Sequence, residues 1–112
     1  MCSVFSALAP EAYAYQTRSV RLGGHATSIR LEAAFWRILE EIGIAQGVSL
    51  GKFLTKLHDE VLEVSDARNF TSMLRCACLT YLSEVRGRPD GETRLRREAA
   101  AAFANNRPEA AL

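Results

Sequence analysis

Three arginines and one serine are the residues of this chain whose types and placement could do chemistry. That chemistry is the holding of phosphates and base edges. Arg18, Arg21 and Arg30 lie along an alternating stretch and are read as sharing one face. A guanidinium donates its N–H groups in a planar fork that fits a phosphate or a guanine edge. Ser49 stands where a helical pattern begins, with Gly51 two residues on. First-turn N–H groups point outward and the helix dipole favours negative charge, so this is a candidate anion site. The plainer readings are a solvated strand face, a surface pair between Arg30 and Glu32, and a serine that only caps its helix.

Bond-making chemistry has little support. Cys76 and Cys78 stand two apart on a predicted helix, about 200° around its axis, so they cannot chelate one metal together. They read as thiols packed in a core. His58, Asp59 and Glu60 are consecutive, face different ways and read as a solvated helix face. His25 lies at a hairpin end, expected half-buried against Leu22. There is no phosphate loop, nucleophile elbow or clustered metal-ligand motif. We therefore expect no catalytic residue, no metal, no cofactor and no enzyme activity.

Composition narrows the class. The chain has 112 residues, enough for one domain with tails, and 48% are apolar, too many for a disordered chain. The 14 basic and 13 acidic residues nearly cancel, so nucleic-acid binding must rest on where charge sits rather than on its total. No run approaches the roughly 18 apolar residues of a membrane span. The first residues lack the basic start of a secretory signal, and three cysteines make no disulfide pattern. The expected setting is reduced and cytoplasmic, away from membranes.

The elements that must position the arginines follow from periodicity. Residues 1–16 show no period and read as a loosely ordered arm. Residues 18–22 alternate, Gly23-Gly24 suits a two-residue turn, and residues 27–31 alternate again. A hairpin through the glycines pairs Leu22 with His25 and Val20 with Thr27. Ile29 and Leu31 then join the buried face, while Ser19, Arg21, Ala26, Ser28 and Arg30 share the other. A helix is predicted over residues 32–46, with Phe35, Ile38, Leu39, Ile42 and Ala45 as its stripe and Gly47 as its stop. Trp36 lies beside that stripe and is read as dimer-core packing, or as an exposed partner anchor.

A second helix begins at Ser49, with Val48 packing on Phe53 and an apolar face of Leu50, Phe53, Leu54, Leu57 and Val61. A polar break follows over residues 63–68. A third helix over residues 70–85, capped by Asn69, has a broad apolar arc. Glycines and Pro89 are read as ending the compact part, which spans residues 17–86. Residues 87–112 are expected to form a partly helical, mobile tail, because Leu95, Ala99 and Phe103 make only a thin stripe. A strand followed by two amphipathic helices cannot close alone. The simplest partner for its backbone is the same strand of a second copy, which predicts an obligate homodimer.

This order resembles the ribbon-helix-helix superfamily of Arc- and MetJ-like repressors, and more closely a small bacterial ribbon-helix-helix domain family of about this length. The likeness spans residues 18–82. It rests on Arg18-Ser19-Val20, Gly24-His25, Thr27-Ser28, Leu31-Glu32, Phe35-Trp36, Leu39, Glu41-Ile42, Gly47, Ser49-Leu50, Asn69, Thr71-Ser72 and Leu74-Arg75. It departs from that pattern at Gly43, where a better helix former is expected, and in a longer polar insert before Asn69. The fold expected is mainly α with a short β-ribbon or hairpin, a ribbon-helix-helix dimer with an extra third helix.

The resemblance implies that strands from two chains enter the major groove of double-stranded DNA. By position, Ala26, Ser28 and Arg30 would then contact bases. The backbone at Ser49, Leu50 and Gly51 would hold a phosphate, joined by Arg18 and Arg21. Transcriptional regulation is the function implied. A protein-interaction module, antitoxin-like or adaptor, is the alternative, with the third helix or the C-terminal tail holding a protein partner.

One geometric difficulty is visible beforehand. If residues 18–22 pair within the chain, the dimer has four strands at about 4.8 Å spacing, too broad to lie flat in a groove about 12 Å wide. The outer strands would have to curl onto the backbone, open on binding, or leave the ribbon without a DNA role.

Overall fold

The structure is a computed structural model that describes residues 3–64 and 69–104. Its elements run α1 (Ser3–Ser6), α2 (Pro10–Tyr13), β1 (Tyr15–Leu22), β2 (His25–Glu32), α3 (Ala33–Gln46), α4 (Leu50–Val64), α5 (Phe70–Glu84) and α6 (Pro89–Ala102). The architecture is mainly helical, with one two-stranded antiparallel hairpin before the helices. No helix among the described residues is long and apolar enough to cross a membrane.

The hairpin closes on Gly23 and Gly24, whose φ of 59° and 83° a side chain would oppose. Its register pairs Leu22 with His25, Val20 with Thr27, Arg18 with Ile29 and Gln16 with Leu31. Eight pairs form, so the ladder reaches back to Tyr15, beyond the expected start. The residues before it, expected as a loosely ordered arm, form two single helical turns that bury no residue. Leu22, Ile29 and Leu31 are buried, and Ser19, Arg21, Ala26, Ser28 and Arg30 are exposed, as the alternation required. The strand that leads into α3 thus finds a backbone partner inside its own chain. The argument that it must borrow one from a second copy therefore fails on one of its two edges.

Trp36 organises the core. It is fully buried in the single chain, and its Nε1 donates to Gln16 O at 2.9 Å. The buried face of α3 is Ala33, Trp36, Leu39, Ile42 and Gly43, with Phe35 and Ile38 at its margin and Ala45 exposed. Neither a partner copy nor an exposed anchor role is needed for the tryptophan. The stripe is turned from the expected one because the largest side chain takes the interior beneath the hairpin. Gly43 has a reason of its own. A Cβ there would meet Val48 O at 3.2 Å, so the chain returning from Gly47 packs where a side chain would stand.

α4 begins where expected. Ser49 Oγ accepts from Lys52 N at 3.2 Å, and Val48 and Leu50 pack against the core beside buried Phe53 and Leu54. The helix runs on through Glu63 and Val64, so the predicted break starts later than placed, and residues 65–68 of it lie outside the described residues. α5 buries Phe70, Leu74, Cys78 and Tyr81 against α3 and β2. Asn69 occupies the cap position without a side-chain cap bond.

α6 corrects the picture of a mobile tail. Ala99 and Phe103 are buried, Leu95 packs against the core, and the helix lies on α3. The thin stripe suffices because glycine lets two backbones touch. At Gly91 a Cβ would collide with Glu84 O and Val85 Cα at the end of α5. Glu92 Oε2 also accepts from Gly87 N at 3.0 Å, tying the start of α6 to the preceding turn. Residues 105–112 of the predicted tail lie outside the described residues.

Candidate nucleic-acid interface

Hairpin alternation sorts the arginines. Arg21 and Arg30 stand on the exposed face with Ala26 and Ser28. Arg30 lies over the Tyr15 ring at 4.2 Å, which steadies the guanidinium on the exposed face. Arg21 bonds the turn through Gly24 O at 3.0 Å. Neither forms an ion pair among the described residues.

Arg18 does not belong with them. It pairs across the ladder with Ile29 and so projects to the core side. There it covers the Trp36 ring at 4.8 Å and donates to Glu40 Oε2 at 3.1 Å. The parity that puts Ser19 and Arg21 outward puts Arg18 with Val20 and Leu22, so the three arginines do not share one face as expected.

β1 lies against α4. Thr55 Oγ1 donates to Arg21 O at 2.7 Å, joining the N-terminal half of α4 to the outer edge of the hairpin. Ser49 and Gly51 are exposed there and Leu50 is half-buried, its side chain in the core and its position in the first turn. A cleft of about 420 Å³ lies between the two elements, lined by Arg21, Gly51, Lys52, Thr55 and Lys56 among others. The structure thus brings Arg21 beside the head of α4, keeps Ala26, Ser28 and Arg30 together on β2, and removes Arg18.

Lys52 and Lys56 escaped the sequence reading, although a signal existed. A lysine in the first turn of a helix opposes the dipole, and α4 has no acidic residue there to balance it. Neither lysine makes an ion pair among the described residues. Three other arginines are matched: Arg75 with Glu32 at 3.0 Å, Arg86 with Glu41, and Arg94 with Glu98 at 2.8 Å. Bonds from Arg86 and then Tyr81 hold the Glu41 carboxyl below its usual range. For Glu32, backbone bonding is the largest influence lowering the carboxyl, with burial opposing and Arg75 assisting.

Other chemistry-bearing side chains are structural or scattered. Burial pushes the Cys78 thiol up to about 11, and its Sγ lies 3.7 Å from Phe35 O. Cys76 is exposed on α5. Asp59 and Glu60 are exposed, but His58 is half-buried, edge-on to Phe70 at 5.0 Å, so it is no solvated face. His25 is exposed rather than half-buried, at the mouth of a cleft it lines with Ile29, His58 and Phe70. Among the described residues no three His, Cys, Asp or Glu side chains converge as a metal site.

Comparison with known proteins agrees with this geometry. The model of the family described as Ribbon-helix-helix domain matches residues 15–82. A solved structure of an uncharacterized protein from Bordetella pertussis Tohama I is 38% identical, covers 91% of this chain and 86% of its own, and superposes with a TM-score of 0.76. Curated proteins gave no match. The ribbon-helix-helix fold is typical of DNA-binding regulators and antitoxins, and its members are generally non-catalytic.

Proposed function

We propose a dimeric DNA-binding transcriptional regulator as the role of this chain, which belongs to the ribbon-helix-helix domain family. The observation that carries this reading is the exposed hairpin face, where Ser28 and Arg30 stand on the strand nearest a free edge and Arg21 stands beside the head of α4. In a hairpin closed by a two-residue turn, the flanking pair exchanges backbone bonds, and alternate residues beyond it turn theirs outward. Here those residues on β2 are Ala26, Ser28 and Arg30. No strand covers that edge among the described residues. A second copy pairing there would place two sets of these residues side by side at the centre of a four-stranded sheet.

Each residue then has a task. Arg30 donates two bonds to a guanine edge, Ser28 bonds a base or a phosphate, and Ala26 contacts a thymine methyl. Four strands are too broad to enter the groove flat, so the central pair enters and the twisted outer strands bend toward the DNA backbone. That brings Arg21 and the first turn of α4, at Ser49, Leu50 and Gly51, onto phosphates. Arg18, held by Glu40 and Trp36, takes no part.

The competing reading, a protein-interaction module, loses one support. The stripe of α6 that would hold a partner already packs on its own chain. It gains another: Val4 and Phe5 near the N-terminus are 71% and 74% exposed.

A mobility-shift series on promoter and scrambled DNA at two salt concentrations tests the proposal. The expected result is a sequence preference that Arg30→Ala removes, at a cost of about 1–3 kcal/mol for the preferred site. A preference untouched by Arg30→Ala would reject base reading by the hairpin. A monomer at micromolar concentration, on and off DNA, would reject the shared edge.

A further inference from the structure

We propose that α6 extends the DNA-binding surface, forming with α4 and the hairpin a cationic channel that takes a run of backbone phosphates flanking the site read by β2. The inference rests on the DNA-binding reading and goes beyond it, because α6 lies outside the matched family region of residues 15–82.

Two clefts adjoin along α4. The first, about 600 Å³, is lined by Ile44, Ser49, Lys52, Arg96, Ala99 and Phe103 among others. The second is the cleft of about 420 Å³ beside Arg21, and it shares Lys52 and Phe103 with the first. Together they bring four cations from three elements to one channel: Arg21 from β1, Lys52 and Lys56 from α4, and Arg96 from α6. Asp59 is the one carboxylate among the residues lining the two clefts. None of the four cations makes an ion pair among the described residues. Arg96 is engaged through Thr93 Oγ1 at 3.3 Å and Arg21 through Gly24 O at 3.0 Å, which leaves most of their donors open.

The placement of Arg96 is fixed by packing. Buried Ala99 and Phe103 and the close approach at Gly91 seat α6, so its arginine is held by a docked helix. The neighbouring Arg94 is tied to Glu98, which with Glu60 lines a smaller cleft that shares Lys56 and Phe103 with the second. Four unneutralised cations on a shared channel repel one another, and a polyanion relieves that repulsion. One small anion would satisfy a single cleft. A channel made of two clefts suits successive phosphates of a duplex, and it starts at Arg21, on the face where the base-reading residues stand. Counterion release would then supply affinity without sequence preference.

The test is a fluorescence titration of labelled duplex DNA against salt, on the full chain, with Lys56→Ala, Arg96→Ala and Arg88→Ala, the last lying on α6's approach outside both clefts. Lys56→Ala and Arg96→Ala are each expected to make the slope of log K against log salt shallower by about 1, on preferred and scrambled DNA alike. Arg88→Ala should leave it unchanged, and thermal unfolding should match the parent for all three. DNA binding whose slope neither channel variant alters would overturn the channel while leaving base reading by Arg30 intact. Equal changes in all three variants would also overturn it, since general charge would explain them. A parent that binds polyglutamate and not DNA would overturn both the channel and the reading beneath it.

Discussion

Arg18 and Arg21 sit three residues apart on one strand and have opposite fates. Arg18 projects under the hairpin, over Trp36 and onto Glu40. Arg21 projects above it, toward a cleft with Lys52 and Lys56 and no ion pair among the described residues. The contrast is repeated among other cations. Against α3 and α5, Arg75 closes on Glu32 and Arg86 on Glu41. Where the hairpin, α4 and α6 meet, Arg21, Lys52, Lys56 and Arg96 make no ion pair among the described residues. A formal net charge of +1 conceals this placement, because a sum says nothing of which charges are paired and which are open. The lesson is that a near-neutral chain can gather unpaired cations on one face.

The widest gap between the two sides should be seen at Trp36. Trp36→Ala removes the side chain that fills the space between hairpin and α3, and is expected to cost about 3–5 kcal/mol in urea unfolding. A loss below 1 kcal/mol would mean the hairpin does not depend on that packing. Next comes Gly91→Ala, which forces α6 away from Glu84 and should cost about 1–3 kcal/mol. Its effect on DNA affinity should exceed that of other equally destabilising variants, because Arg96 moves with the helix.

A smaller effect is expected from acid. Glu41 titrates lower in the folded chain than unfolded, through its bonds from Arg86 and Tyr81. Its contribution is therefore present above the ordinary carboxylate value of 4.5 and fades as pH falls below it. Glu41→Gln should flatten that acid limb in a series of thermal unfolding curves, with DNA affinity at neutral pH unchanged. Tyr81 runs the other way. Burial first, then the Glu41 bond, pushes it up to about 12, so stability should decline as pH rises above 10. Tyr81→Phe should remove that alkaline decline.

Much of this was legible from residue order. The glycine pair and flanking alternation fix the hairpin register, because a slip of one residue would turn Ile29 and Leu31 to solvent. Ser49 reads directly as a cap. What was not legible depends on approach in space. Periodicity ranks Phe35 and Trp36 as near neighbours on a helix and cannot say which of them the strands will cover. The packing of α6 depends on Gly91, whose missing side chain leaves no hydrophobic mark. The channel cations come from Arg21, Lys52, Lys56 and Arg96, up to 75 residues apart, and no local pattern joins them.

The division between a structural and a binding arginine is tested most directly by Arg18→Ala and Arg21→Ala, measured together for stability and for salt-dependent DNA affinity. Arg18→Ala is expected to lower stability by about 0.5–1 kcal/mol and leave the salt slope unchanged. Arg21→Ala should leave stability within about 0.5 kcal/mol and make the slope shallower by about 1. The opposite assignment, with Arg18 carrying the salt dependence and Arg21 the stability, would contradict the account.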